Sequence, residues 1–279
     1  AKAAIDATME VGRRTGKDLP IMLSITVSDL AGRTLSGQTL DAVLASVSSY
    51  PIFSIGLNCS FGADQMKPFL KQLAHRAPYY ISAYPNAGLP NSLGAYDETP
   101  ESMAPQIQEF IDEGLVNIVG GCCGTTEEFI HRYWQMAQGK KPRQPAERPT
   151  VSWLSGLELL EVTPEINFVN VGERCNVAGS RKFLRLINEK KYDEALAIAR
   201  KQVEDGAMIL DINMDDGMLD ARGEMARFLR VLGSDPVTSS VPWMIDSSDF
   251  NVIQEALKNI GGRAIVNSIS LKEGEALFL

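Results

Sequence analysis

Short apolar runs, almost unbroken by polar residues, alternate with stretches of helical periodicity along this chain. The runs Ile21–Val27, Phe53–Cys59, Tyr79–Ala83 and Val116–Gly120 predict strands. They are nearly continuous rather than alternating, which predicts burial on both faces of a parallel sheet. Leu40–Ser48, Ala63–His75 and Ser102–Glu113 predict the intervening helices, with Gly114 placed to end the last of them. Thr125 and Glu128 have capping-box spacing. That predicts a helix over about 126–138 and leaves Cys122 and Cys123 in a strand-to-helix loop.

The rhythm then breaks. Gly139–Pro164 contains Pro142, Pro145, Pro149 and Pro164 and reads as an interdomain linker, with packed structure of its own around Trp153 and Leu154. The rhythm restarts with strands predicted at Phe168–Gly172, Ala207–Asn213, Trp243–Asp246 and Ala264–Ser268. Helices are predicted at Phe183–Asp205, closed by Gly206, and over 221–232 and 250–258. A further helix starts as the sequence ends at Leu279.

The fold class is α/β, with about four βα units on each side of the linker. A closed (β/α)8 barrel takes ~250 residues, so two complete ones do not fit. Two arrangements remain: parts of two (β/α)8 TIM barrels joined by a linker, or one barrel closed by all eight units. The linker favours the first, as does the opening Ala1–Asp6, which reads like the middle of a helix without an initiator Met or signal pattern. The expected division is 1–139, the C-terminal half of one barrel; 140–166, the linker; and 167–279, the N-terminal half of another.

The densest chemistry lies in Val119-Gly120-Gly121-Cys122-Cys123-Gly124-Thr125-Thr126. Cys59 ends an earlier strand of the same kind, in Leu57-Asn58-Cys59-Ser60. Strand ends of a barrel open onto one face, where active sites lie. Three thiolates meeting there can hold one zinc and leave its fourth position open, as catalytic rather than structural zinc sites do. A vicinal disulfide or inert buried thiols are the plainer alternatives. Four cysteines in 279 residues are too few for a disulfide scaffold, so a reducing, cytoplasmic setting is expected. The net charge of −8 argues against broad nucleic-acid binding, and no apolar run has the length of a membrane span.

Leu57-Asn58-Cys59, Tyr84-Pro85-Asn86-Ala87-Gly88-Leu89-Pro90-Asn91 and Val119–Thr126 together resemble the homocysteine-binding zinc module of the cobalamin-dependent methionine synthases. Related homocysteine methyltransferases share the Gly-Gly-Cys-Cys-Gly signature. The resemblance implies that Cys59, Cys122 and Cys123 hold zinc and that homocysteine enters as the fourth ligand. It also implies that the Asn86 oxygen is a fourth ligand displaced by substrate; a turn asparagine is the alternative reading.

The second half repeats the pattern with oxygen and nitrogen in place of sulfur. Gly172–Phe183, Asp211–Asp215, Met244–Ser248 and Val266–Ser270 each put polar groups at a strand end. Convergent carboxylates and amides suit a flat heterocycle with several N–H donors, such as a pterin. Singly, each Asp or Asn reads as a loop cap or turn former. Together the segments resemble the pterin-binding module that follows the zinc module in the same family. The resemblance covers essentially the whole chain. It implies that Asp246 and Asn267 grip the pterin, that Gly179, Ser180 and Arg181 add contacts, and that Asn176, Asp211 and Asn213 line the same pocket. Cys175 is expected to be a small packed residue.

The family's cobalamin-binding module carries an Asp-x-His-x-x-Gly motif, which neither His75 nor His131 matches. The expectation is therefore a piece of a longer enzyme. In that enzyme 5-methyltetrahydrofolate passes its methyl to cobalamin, and methylcobalamin, held by a module outside this chain, passes it to homocysteine to give methionine. Homocysteine, the folate and that cobalamin module are the partners implied. A cobalamin-independent homocysteine S-methyltransferase and a non-catalytic, zinc-stabilised piece are the rival readings.

Overall fold

The computed structural model describes residues 1–271 and 274–278; Leu279, the end of the expected second half, lies outside them. In chain order the first elements are α1 (Lys2–Thr15), β1 (Met22–Ile25), α2 (Leu40–Val47), β2 (Ser54–Asn58), α3 (Ala63–Arg76), β3 (Tyr80–Tyr84), α4 (Pro100–Asp112), β4 (Ile118–Val119) and α5 (Glu127–Ala137). There follow β5 (Ser152–Ser155), β6 (Leu159–Val162), β7 (Val171–Asn176), α6 (Arg181–Asn188), α7 (Tyr192–Glu204), β8 (Ile209–Asn213), α8 (Ala221–Gly233), α9 (Pro236–Ser240), β9 (Trp243–Asp246), α10 (Phe250–Leu257) and β10 (Ile265–Asn267). Contacts divide the chain into two units, residues 1–40 with 48–149, and residues 41–47 with the chain from 150 onward.

The first unit carries a parallel sheet in the order β1-β2-β3-β4. Ile55, Leu57, Ile81 and Ala83 are buried on its central strands, as continuous apolar runs require. Helix α3 turns Met66, Phe69, Leu70 and Leu73 inward. Helix α4 does the same with Met103, Ala104, Ile107 and Phe110 and starts on a true capping box, in which Thr99 and Ser102 exchange side-chain and backbone bonds. On the surface Lys67 pairs with Glu109 and Glu113, tying α3 to the end of α4.

The second unit carries a separate parallel sheet, ordered β10-β9-β8-β7, over a core centred on Phe183, Leu186, Leu210, Ile212, Phe228 and Ile245. The eight parallel strands therefore form two sheets rather than one, and neither closes into a barrel among the described residues.

The expected linker is mostly anchored. Arg143 is buried, and its guanidinium donates to Tyr79 O, Ala74 O and Ala77 O at 2.9, 2.7 and 2.9 Å, capping the turn between α3 and β3. Further on, β5 and β6 pair antiparallel, with Trp153 and Leu154 buried. Ser155 N–H donates to Arg263 O at 3.1 Å and Leu157 N–H to Ser239 O at 2.7 Å, so the hairpin covers the N-terminal ends of β9 and β10.

Three local expectations are corrected. The strand expected at Phe168–Gly172 starts three residues later, and Phe168 is exposed. The helix expected at Phe183–Asp205 is two helices, broken around Lys190 with φ 59°. The Thr125–Glu128 capping box does not form: Thr126 is the N-cap, and the Thr125 hydroxyl donates back to Cys122 O.

Candidate metal centre and strand-end polar row

In the first unit, β2 ends at Asn58, and Cys59 and Ser60 follow with φ of 60° and 61°. Two successive non-glycine residues in the left-handed region are costly and need to be held by their surroundings. Here Cys59 N–H donates to Tyr84 O at 3.0 Å, and Phe61 N–H to Cys59 O at 2.7 Å. The loop after β3 is laced to the Cys-Cys turn in the same way. Cys122 N–H donates to Pro85 O at 2.9 Å, Ala87 N–H to Cys123 O at 2.8 Å, and Cys123 N–H to Asn86 Oδ1 at 3.2 Å.

Three strand-end loops thereby bring three sulfurs together. Cys59 Sγ is 3.6 Å from Cys123 Sγ, and Cys122 Sγ is 3.9 Å from Cys123 Sγ. All three lie within 4.8 Å of one another and are free and half-buried. Zinc–sulfur bonds of ~2.3 Å at tetrahedral angles put bound sulfurs roughly 3.8 Å apart, so the donor set fits zinc as it stands.

The glycines make room for this packing. A Cβ on Gly120 would lie 2.7 Å from the Tyr84 ring, and one on Gly121 2.3 Å from the Thr125 side chain. Gly124, with φ of +80°, would meet Tyr96 at 2.5 Å. Burial, then the neighbouring Cys59 and Cys123 sulfurs, push the Cys122 thiol up to about 11. Cys123 moves the other way, with the nearby Tyr96 hydroxyl the largest influence, followed by the Cys59 and Cys122 sulfurs. Asn86 is buried at the cluster, with its side-chain oxygen engaged by the Cys123 amide.

In the second unit, strand register aligns four of the expected residues. Asn176 pairs with Asn213, Asn213 with Asp246, and Asp246 with Asn267, all at the C-terminal ends of their strands. Asn213 Nδ2 donates to Asp246 Oδ2 at 3.0 Å. Asp211 lies two residues earlier on β8, hence on the same face and one layer deeper. It is buried, its Oδ1 has no hydrogen-bond partner, and burial followed by the Asp246 and Glu173 charges pushes it up to about 6.

Gly179 and Ser180 lie in the turn after β7, where the side chains hold the backbone, and Arg181 opens α6. Asn176 Oδ1 accepts from Ala178 and Gly179 N–H at 2.9 and 3.0 Å, and Ser180 Oγ caps α6 by accepting from Phe183 N–H. Cys175 is wholly buried, accepts from Gln202 Nε2 at 3.4 Å, and is pushed up to about 12 by that burial.

Sequence reasoning missed Asp215. Its carboxylate accepts from Ser247 Oγ, Ser248 N–H and Ser248 Oγ at 2.7, 2.7 and 2.8 Å and ties the loops after β8 and β9 together. The signal was the Ser-Ser pair directly after Asp246, which needs an acceptor nearby. Tyr96 was also missed, because nothing in its own segment marks it as a neighbour of Cys123.

Residues 1–136 match the family model described as homocysteine S-methyltransferase, and residues 172–278 match the one described as pterin binding enzyme. The two matches follow one another along the chain, with the 137–171 stretch between them. Among solved structures, the carboxyl transferase domain of Rhizobium etli pyruvate carboxylase with pyruvate is 12% identical over 94% of this chain and 41% of its own, with a TM-score of 0.26. A FabK mutant from Thermotoga maritima is 11% identical over 92% of this chain and 63% of its own, with a TM-score of 0.25. This chain spans about two fifths of the carboxyl transferase domain.

Proposed function

We propose that this chain supplies the homocysteine site and part of the folate site of a cobalamin-dependent methionine synthase, with each four-stranded sheet forming half of a barrel. The observation that carries the reading is the sulfur triad, which lies inside the segment matched by the homocysteine S-methyltransferase model. The strand-end polar row inside the pterin-binding match supports the second half.

Cys59, Cys122 and Cys123 would hold zinc, with the Asn86 oxygen as a displaceable neighbour. When bound, zinc supplies a Lewis acid that keeps a substrate thiol deprotonated at neutral pH, where a free thiol with a pKa near ~8.5 is mostly protonated. The chain does the rest. Hydrogen bonds among the three loops fix the sulfurs before metal arrives, so little ordering is needed on binding. The left-handed turn at Cys59 is the strain that this fixing sustains.

On the folate side, Asp246 and Asp211 would accept the ring N–H donors of the pterin. The partnerless oxygen of Asp211 fits such a ligand, since a buried acceptor left empty is costly. Asn213 orients Asp246 through its amide. Asn267 would orient the folate N5, the nitrogen that must be protonated to leave its methyl, without being a strong acid itself. Asn176, Gly179, Ser180 and Arg181 would border the ligand from the β7 loop.

No cobalamin contact is assigned to this chain. The free cysteines suit a cytoplasmic enzyme.

The test is zinc per chain, with sulfur-ligand spectroscopy, before and after adding homocysteine. About one zinc with three sulfur ligands, rising to four with homocysteine, is expected. Four sulfurs throughout, or no zinc, would remove methyl transfer to sulfur from the reading. Loss of folate affinity in Asn267→Ala tests the second site separately.

A further inference from the structure

The carboxylate of Asp215 has no part in the reading above, yet its bonds end directly beside a residue that does. Asp215 follows β8 by two residues and is half-buried. Its Oδ1 accepts from Ser247 Oγ at 2.7 Å, and its Oδ2 from Ser248 N–H and Ser248 Oγ at 2.7 and 2.8 Å. Ser247 and Ser248 are the two residues after Asp246. Ser247 is buried, and its hydroxyl also accepts from Asp249 N–H at 3.1 Å, where α10 is about to begin. The Ser247 N–H donates to Asn267 O at 2.8 Å. The chain leaving β9 is thereby fastened on both sides, to the β8 loop by the carboxylate and to the end of β10 by the backbone.

A second path runs through Asn213. Asp215 N–H donates to Asn213 Oδ1 at 2.8 Å, and Asn213 Nδ2 donates to Asp246 Oδ2 at 3.0 Å. A backbone N–H can only donate, so it fixes which end of the Asn213 amide faces it and leaves the amide nitrogen for Asp246. Asp246 Oδ2 is an acceptor in consequence. One residue thus sets the chain just past Asp246 with its carboxylate and the Asp246 side chain with its backbone.

We infer that Asp215 is a positioning residue for the pterin site: it holds Asp246 at the place and angle at which that carboxylate accepts both N–H donors on the amidine edge of the ring. The inference rests on the folate reading above. Two parallel bonds to one carboxylate demand a closer fit than one, since both oxygens must meet their donors at once. Asp246 is the last residue of β9, and the bonds from Asp215 carry its placement past the point where the strand ends. Both Asp215 oxygens are turned to the serines, so it acts on a ligand through Asp246 rather than by contact. Loop ordering alone has a different signature. A loosened loop lowers the fraction of molecules competent to bind and weakens every pterin by the same factor. A displaced Asp246 costs most for the ligand that uses both of its oxygens.

The probes are tetrahydropterin and its analogue without the 2-amino group, titrated calorimetrically into the full chain. The parent should prefer tetrahydropterin by about tenfold, the worth of one hydrogen bond to a carboxylate. Asp215→Ala should weaken tetrahydropterin binding about tenfold and the analogue much less, reducing the preference to about twofold or below. Asp215→Asn can keep Ser248 through its amide oxygen and donate to Ser247 Oγ, and should recover most of the preference. Equal weakening of the two ligands by Asp215→Ala, or tetrahydropterin binding within about twofold of the parent, overturns the assignment and leaves the folate reading intact. A parent that binds both ligands equally well does the same. A parent that binds neither overturns both. Should Asp215→Ala fail to fold, Ser247→Ala takes its place by removing the hydroxyl between Asp215 and Asp249, and an unchanged preference there is the overturning result.

Discussion

Asp211 is the residue whose environment most opposes its charge. It is buried at 5% exposure, has one oxygen without a partner, and is raised from an ordinary 3.8 to about 6. The folded state therefore holds this proton more tightly than the unfolded chain does. The associated stability is fully present below about pH 4 and is lost as pH rises through about 6, a change of about 3 kcal/mol at ~1.36 kcal/mol per pH unit. Asp211→Asn is expected to be more stable than the parent at pH 8 by up to that amount and equal to it near pH 4. Urea unfolding at the two pH values reads this directly, and an advantage that persists in acid would contradict it. The same substitution should weaken pterin binding, because the empty acceptor is what the ligand would fill.

At the scale of elements, the pairing of β2 with β3 leaves no room for a side chain at Gly56. A Cβ on Gly56 would lie 2.0 Å from Ser82 O and 2.1 Å from Ser82 Oγ, its register partner. Gly56→Ala should cost more than ~3 kcal/mol and abolish metal binding through loss of the fold. Ser82→Ala should not rescue it, since the carbonyl oxygen is in the way as well; soluble yield and metal content decide the point. Such contacts were invisible in the chain, whereas buried strands were plain, because a continuous apolar run such as that through Ser54–Asn58 has few other uses. What failed was legible only in three dimensions. β7 has exposed Glu173 and Arg174 in its middle at a bulge, where Arg174 N–H is taken by Gln202 Oε1. An edge strand with one wet face carries no continuous apolar signal, so its start was misread as the apolar Phe168. The break near Lys190 was hidden because both flanking helices keep apolar periodicity. At the site, the cysteine pair and the strand-end acids were legible as residue types, but the alignment of Asn213, Asp246 and Asn267 depends on register, which no single strand encodes.

At the scale of the molecule, each unit has its own sheet, core and site residues. Ligands should act locally. Zinc is expected to slow amide exchange in the segments around Cys59, Asn86 and Cys122–Thr125 by stabilising the hydrogen bonds that already join them. A reduced pterin is expected to slow exchange around Asp211–Asp215, Asp246–Ser248 and Asn267 instead. Mass-resolved hydrogen exchange with each ligand alone distinguishes the two, and zinc protecting the β8–β10 ends would contradict the assignment of separate sites. The two ends of the proline-rich stretch should behave differently from a free tether as well, since Arg143 and the β5–β6 hairpin are each bonded into a unit.

The matched rungs Asn213, Asp246 and Asn267 have a consequence for what can be measured by such a surface. Neighbouring strands are ~4.8 Å apart, so the polar groups are spaced like marks on a ruler whose unit the backbone sets. Side-chain identity can change what each mark attracts, but not the interval between marks. A slip of one residue turns the whole scale to the opposite face. A ligand lying across these strand ends would therefore be graded first by rigidity and breadth: a fused planar ring would bridge neighbouring marks as it stands, whereas a flexible chain with the same polar atoms would have to be straightened to be counted.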